Sequence, residues 1–353
     1  MATTFRVGII GCSGIAIAPS KRSASAVRSP QPHSHAAAYH AVPATAVVAA
    51  CDVSESALER FAATWGSTAC YTDYRQMLAQ ESLDLVSIVT PDHLHADMFV
   101  AACEAGVRGI FCEKPIATTL EDADRMVAAA ERTGVKVVVN HTRRFDPFYR
   151  QATWLIEQDV IGPLRVVLGT LGGERAMLFR NGTHLIDAMA FFAGAQPAWV
   201  IAELDDLDAG YGPVYRGDGG HDPASEPGAT AMIAFENGVR AVYNGSKRTV
   251  TAFEIELQGE GGRIRIGNQV AELATVSPAG GLATQPLPLQ TALTSGMVVA
   301  VEELIDLIEL DGDGTRALRQ ARTTLELLLG ILASADNDGR KVAFPLVAAS
   351  AVA

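Results

Sequence analysis

Apolar and polar positions divide the chain into two regimes. In the first, short continuous apolar runs alternate with stretches of helical periodicity: Phe5–Ile10, Val47–Cys51, Asp84–Thr90, Arg108–Cys112 and Val135–Asn140 read as strands. Between them, Ser54 is placed as the N-cap of a helix that turns Leu58, Phe61 and Trp65 inward and stops at Gly66. A second helix covers His93–Ala105 and stops at Gly106. Thr119-Leu120-Glu121-Asp122 forms a capping box for a third, running to Thr133 and ending at Gly134. Strands that are apolar without alternation are buried on both faces, so this region predicts a parallel sheet covered by helices.

Beyond Asn140 the pattern changes. Asp146–Gln158 reads as a helix, Ile161-Gly162-Pro163 as a break, and Leu164–Leu171 as a strand. Thr183 is expected to cap a helix from His184 to Ala193 that Gly194 ends. Strand-like segments follow at Ala198–Leu204, Ala229–Phe235, Val239–Gly245, Phe253–Gln258, Arg263–Ile266 and Ala271–Val276. Glu236-Asn237-Gly238 and Gly259–Gly262 are hairpin turns between them, and two helices close the chain at Gly296–Leu310 and Thr315–Ala335. The expected organisation is an α/β nucleotide-binding domain at 1–140 followed by an α+β domain at 141–353. The second domain holds a large, mainly antiparallel open sheet and binds substrate, and its closing helices pack back on the first. Such a sheet leaves a face to cover, and a second copy of the chain is a common cover, which predicts a homodimer or homotetramer.

Composition narrows the class. With 353 residues, 48% hydrophobic and 19% charged, the chain is long enough for two cores. A net charge of −12 argues against nucleic acid or an anionic membrane as partner. No apolar run reaches the roughly 20 residues of a membrane span, and the N-terminal residues lead into a strand without a signal-peptide layout. Cys12, Cys51, Cys70, Cys103 and Cys112 are scattered and form no CxxC pair. That points to a reducing cytoplasm and to neither a disulfide frame nor a metal site.

The chemistry gathers at strand ends. Gly11-Cys12-Ser13-Gly14-Ile15-Ala16 follows the first strand, where a glycine turn and a helix N-terminus together bind pyrophosphate. Ala16 stands at the third glycine position of that fingerprint, and Ser13, a departure from it, at the second. Asp52 ends the second strand, placed to accept from ribose hydroxyls and to repel a 2′-phosphate, which favours NAD over NADP. The segment Ala18–His33 between them is an insertion carrying Lys21, Arg22 and Arg28, either a solvated loop or a further contact to the cofactor. The long Asp205–Gly228 segment is either a lid or a surface excursion. Most informative is Arg108–Pro115, an apolar strand running into Glu113-Lys114-Pro115. A buried ammonium is unfavourable unless it is paired, and the proline restricts the lysine backbone, so Lys114 is aimed at a ligand or else reaches solvent past the strand end.

The order Thr90-Pro91-Asp92-His93-Leu94-His95, Glu113-Lys114-Pro115, Arg144-Phe145, Gly182-Thr183-His184-Leu185-Ile186-Asp187, with Asp338–Leu346 behind it, resembles the glucose–fructose oxidoreductase/inositol dehydrogenase/rhizopine-catabolism (Gfo/Idh/MocA) family of NAD(P)-dependent oxidoreductases. The resemblance implies a Rossmann domain and makes Lys114 and His184 the catalytic pair. It places Gly11, Ser13, Gly14, Ile15, Asp52, Thr90, Pro91, His95, Glu113, Lys114 and Arg144 at the cofactor, Glu113 on its ribose and Arg144 near the nicotinamide, with Arg180, Asp187 and Arg144 as substrate-binding residues. Asp187 shares the His184 helix face and is positioned to orient it. Many relatives carry an aspartate four residues before the histidine, where this chain has Arg180. Arg180 either binds an anionic group of the substrate or turns to the surface.

The implied reaction passes hydride between the nicotinamide and a secondary alcohol or ketone of a sugar, polyol or sugar derivative, with the proton going to Lys114 or His184. Three alternatives of the same fold stay open: a reductase or transaminase-coupled sugar-modifying dehydrogenase acting on a nucleotide- or phosphate-bearing sugar, which Arg180 would suit, a glycoside hydrolase or lyase that oxidises its substrate transiently with bound NAD, and a non-catalytic NAD(P)-binding sensor.

Overall fold

The computed structural model describes residues 4–17, 31–66, 68–205, 210–217, 222–277, 279–288 and 295–346. The chain divides into two compact units, the first comprising 1–146, 216–219 and 293–322, the second 147–215, 220–292 and 323–353.

In chain order the first unit contains β1 (Phe5–Ile10), α1 (His35–Ala41), β2 (Thr45–Cys51), α2 (Glu55–Trp65), β3 (Ala69–Tyr71), α3 (Tyr74–Gln80), β4 (Leu85–Ile88), α4 (His95–Glu104), β5 (Gly109–Cys112), α5 (Leu120–Thr133) and β6 (Lys136–Val139). All strand pairs are parallel, in the order β3-β2-β1-β4-β5-β6. The order reverses between β1 and β4, and the crevice at their carboxyl ends is where such sheets bind ligands. Central strands are buried without alternation, as in LVSI of β4 and GIFC of β5. Ser54 caps α2 by accepting from Ala57 N, and Thr119 caps α5 by accepting from Asp122 N. Gly134 adopts the left-handed conformation that closes α5.

Two expectations change here. The turn after β1 opens no α-helix: Gly14–Ala16 forms one 3-10 turn, and α1 begins at His35, capped by Ser34. Most of the predicted insertion, 18–30 with Lys21, Arg22 and Arg28, lies outside the described residues. The segment after Thr90 likewise opens as a 3-10 turn, Asp92–Leu94, and becomes α-helical at His95.

Further along the chain come α6 (Pro147–Glu157), β7 (Leu164–Gly172), α7 (Thr183–Ala193), β8 (Pro197–Leu204), β9 (Ala229–Phe235), β10 (Arg240–Ser246), β11 (Ala252–Gly259), β12 (Gly262–Gly267), β13 (Ala271–Val276), β14 (Leu282–Pro286), α8 (Gly296–Glu309), α9 (Arg316–Asp336) and β15 (Val342–Ala343). Helix α8 belongs to the first unit and buries Met297, Ala300, Val301 and Leu304 in the core with Val7, Ile9 and Phe111. Among the described residues of the second unit nine strands run β14-β13-β12-β11-β7-β10-β9-β8-β15, and only β7 and β10 pair in parallel. One face packs on α7 and the second half of α9 through Leu185, Ile186, Met189, Leu328 and Ile331.

The opposite face carries one row across seven strands. Register aligns Ile201, Met232, Val242 and Leu168, then Glu256, Arg265 and Glu272. Its first half is apolar, with Met232 and Val242 exposed, and its second half is ion-paired through Arg265.

Candidate functional site

The Gly-rich turn is held from below. Gly11 sits at φ +93°, and a Cβ there would lie 2.5 Å from the Val89 carbonyl oxygen, so only glycine fits. Gly14, at φ +52°, faces open space. Asp52 ties this turn to the end of β2: Oδ2 accepts from Cys12 N at 2.8 Å and Oδ1 from Ser54 N at 2.9 Å. An ionised carboxylate has further lone pairs, so Asp52 is oriented and still able to accept from ribose hydroxyls. Ser13 and Ile15 lie exposed on the same turn. Cys12 is buried, and burial, with the Asp52 charge next, pushes its thiol up to about 12, which leaves it a packing group.

The exits of β4 and β5 are clamped together by His95. Its Nε2 lies 2.8 Å from the Thr90 carbonyl oxygen and its Nδ1 2.9 Å from that of Pro115. Pro91 starts the intervening 3-10 turn. Lys114 follows Glu113 directly past β5, the Lys114–Pro115 peptide is cis, and both side chains are buried, at 5% and 6% exposure.

Glu113 is bonded from three sides. Its Oε1 meets His35 Nε2 at 3.0 Å and accepts from Asn140 Nδ2, and its Oε2 accepts from Lys114 N at 3.2 Å. Burial on its own would raise this carboxyl. The His35 hydrogen bond, then the Lys114 charge and the Asn140 bond, reverse that and bring it to about 2. Asn140 Oδ1 is also buried and has no donor among the described residues, an unmet acceptor at the end of the adjacent strand. Arg144, in a 3-10 turn after β6, donates from Nη1 to Gln320 Oε1 at 2.7 Å.

Within the second unit, Arg180, His184 and Asp187 share one continuous helical segment. Leu178–Gly182 is a π turn leading into α7, and Gly182 N donates to the Met177 carbonyl. Thr183 is therefore no cap: Gly182 before it is already helical, and the preceding turn supplies the bonds a cap would make. Such π turns are frequent at functional sites. Asp187 is fully buried and its Oδ1 accepts from Thr324 on α9 at 3.0 Å, which anchors this face of α7. The π turn is braced by Phe179, whose ring stacks on Tyr215 with centroids 3.6 Å apart and whose N donates to Glu226 Oε2. The described parts of the long loop are thus packed. Tyr215 lies on Phe179 within the second unit, and the Gly217 carbonyl accepts from His93 within the first. Residues 206–209 and 218–221 of that loop lie outside the described residues.

The first unit thus brings Gly11, Asp52, Thr90, His95, Glu113 and Lys114 to the carboxyl ends of its strands. Sequence reading missed His35 and Asn140, which bond Glu113, and Ser87 and Tyr39, which back His35. Asn140 carried a signal, because it ends an apolar run in the strand after Glu113. An open Gly14, an oriented Asp52 and an unmet Asn140 acceptor suit a dinucleotide.

Comparison with known proteins agrees. Residues 5–141 match the oxidoreductase family with an NAD-binding Rossmann fold, and 149–265 match the Gfo/Idh/MocA C-terminal domain. Inositol 2-dehydrogenase of Rhizobium meliloti is 28% identical over 279 residues, covering 74% of this chain and 81% of that protein. D-apiose dehydrogenase of Paraburkholderia graminis is 29% identical over 252 residues, 66% of this chain and 64% of that protein. Among solved structures, an oxidoreductase from Agrobacterium radiobacter in complex with NAD+, L-tartaric acid and magnesium superposes with a TM-score of 0.76 at 19% identity, covering 97% of this chain and 98% of the other. Strand order, the glycine turn with its aspartate, and both domain matches place the chain in the Gfo/Idh/MocA family of NAD-binding oxidoreductases.

Proposed function

We propose that the protein oxidises or reduces a secondary alcohol or ketone of a sugar, polyol or sugar derivative, with Lys114 holding the reacting oxygen. The observation that carries this reading is a lysine buried at a strand end directly after an ionised glutamate held by three hydrogen bonds. A lysine at the carboxyl end of a parallel strand, beside an oriented carboxylate, is placed to meet a ligand.

Bound nicotinamide supplies the hydride acceptor or donor. Lys114 Nζ binds the substrate hydroxyl and takes its proton, with His184 as the second candidate for that transfer. Glu113 accepts from ribose hydroxyls, and Asp52 does the same at the other ribose, favouring NAD by repulsion of a 2′-phosphate. Arg180, on the π turn, suits a carboxylate or phosphate on the substrate. Asp187 holds the His184 helix through Thr324. The open apolar row of the second-unit sheet is proposed to pair with a second copy of the chain.

A panel of sugars, polyols, sugar acids and sugar phosphates with NAD and NADP tests the reading. Absorbance is expected to appear at the reduced-nicotinamide band with at least one compound. Tight NAD binding with no absorbance change across the panel would contradict it.

A further inference from the structure

Beneath Glu113 runs a row of buried polar side chains. His35, first residue of α1, is fully buried with its ring against Phe111, centroids 4.3 Å apart. Its Nε2 lies 3.0 Å from Glu113 Oε1 and its Nδ1 3.0 Å from Ser87 Oγ, which in turn lies 3.0 Å from the Tyr39 hydroxyl. Ser87 and Tyr39 are also fully buried.

The chemistry of the partners fixes the direction of these bonds. An ionised carboxylate only accepts, so His35 Nε2 carries a proton and donates to Glu113. His35 Nδ1 then accepts from the Ser87 hydroxyl, and Ser87 Oγ accepts from the Tyr39 O–H. Each proton in the row has an acceptor in this arrangement. The opposite tautomer would set a lone pair of the ring against the carboxylate. The row ends in the core at Tyr39, so it leads no proton to solvent. It serves to hold an orientation.

The base of the row is fixed as well. Ser34 caps α1 by accepting from Ala37 N, and the Pro32 carbonyl accepts from Ser295 at the start of α8. His35 is therefore anchored at the point where the inserted segment rejoins the helix. On the other side of Glu113, Asn140 Nδ2 donates to the same Oε1 and Lys114 N to Oε2.

We propose that His35 is a positioning residue for nicotinamide-dinucleotide binding, holding the Glu113 carboxylate through Nε2–H in the orientation that meets the cofactor ribose. The inference rests on the assignment of Glu113 to the cofactor made under Proposed function.

Two variants separate orientation from packing. His35→Gln carries an amide N–H out to the reach of Nε2 and restores the bond to Glu113. His35→Asn reaches only as far as Nδ1 and leaves Glu113 without that donor. Both lose the ring on Phe111. NADH titrated into the purified protein, followed by its fluorescence, is expected to bind His35→Asn about tenfold or more weakly and His35→Gln within about threefold of native, as a hydrogen bond to a charged group demands. Equal weakening in the two variants, or native-like binding by His35→Asn, overturns the proposal. Nitrogen NMR of the imidazole in the native, cofactor-free protein gives a reading independent of the variants: the Nε2–H tautomer is expected, and Nδ1–H overturns the proposal. None of these measurements uses a substrate. If the oxidoreductase reading fails, the failure shows as a silent substrate panel while the His35 results stand.

Discussion

At the residue scale, the charge on Glu113 bears both on stability and on the proposed cofactor contact. Its carboxyl is held at about 2 against an ordinary 4.5, chiefly by His35, Lys114 and Asn140 acting against burial. A carboxyl depressed on folding stabilises the native state above its unfolded value, and that contribution is lost as pH falls through the folded one. Glu113→Gln is therefore expected to be less stable than native at neutral pH, by at most about 3 kcal/mol. In urea unfolding at a series of pH values the gap should narrow between 4.5 and about 2. A gap that stays constant across that window would refute the assignment. Asp52 supports a second expectation: Asp52→Ala removes a repulsive charge, so the ratio of NADP to NAD dissociation constants should fall by about tenfold, read by calorimetry. Lys114, Glu113 and Asp52 were legible in the sequence because each is a polar residue ending an apolar run. His35 was not, because it lies 78 residues from Glu113 and only the folded sheet brings them together.

At the element scale, the π turn ahead of α7 explains a glycine. A Cβ on Gly182 would lie 2.6 Å from the Tyr243 hydroxyl, which is buried on the sheet beneath and has no partner among the described residues. Gly182→Ala is expected to lose about 2–3 kcal/mol, as overpacking does. Tyr243→Phe removes the clashing oxygen together with an unsatisfied buried group, so alone it should be neutral or stabilising. In that background Gly182→Ala should lose less than about 1 kcal/mol, a coupling that thermal unfolding of the four proteins would reveal. Additive losses would place the strain elsewhere. The sequence shows apolar periodicity through 183–193 but not the switch from π to α winding, since both put the same residues inward. Edge elements were similarly hidden: β3 and α3 are short, and every residue of β14 is exposed, so no alternation marks it.

At the scale of the whole molecule, two sheets with different burial rules were readable from periodicity alone, unbroken apolar runs for one and alternation for the other. The parallel β7–β10 pair was not, because alternation does not encode strand direction. The apolar half-row Ile201, Met232, Val242 and Leu168 is the surface proposed for self-association. Met232→Arg should lower the sedimentation-derived mass of the native protein without lowering its unfolding temperature by more than a few degrees; an unchanged mass would exclude that face. The account stands on Lys114. Turnover of the best substrate in the panel, compared between native protein and Lys114→Ala at matched NADH affinity, tests it most directly. At least a hundredfold loss of turnover is predicted, the scale of a lost general acid–base group. Near-native turnover by Lys114→Ala would contradict it.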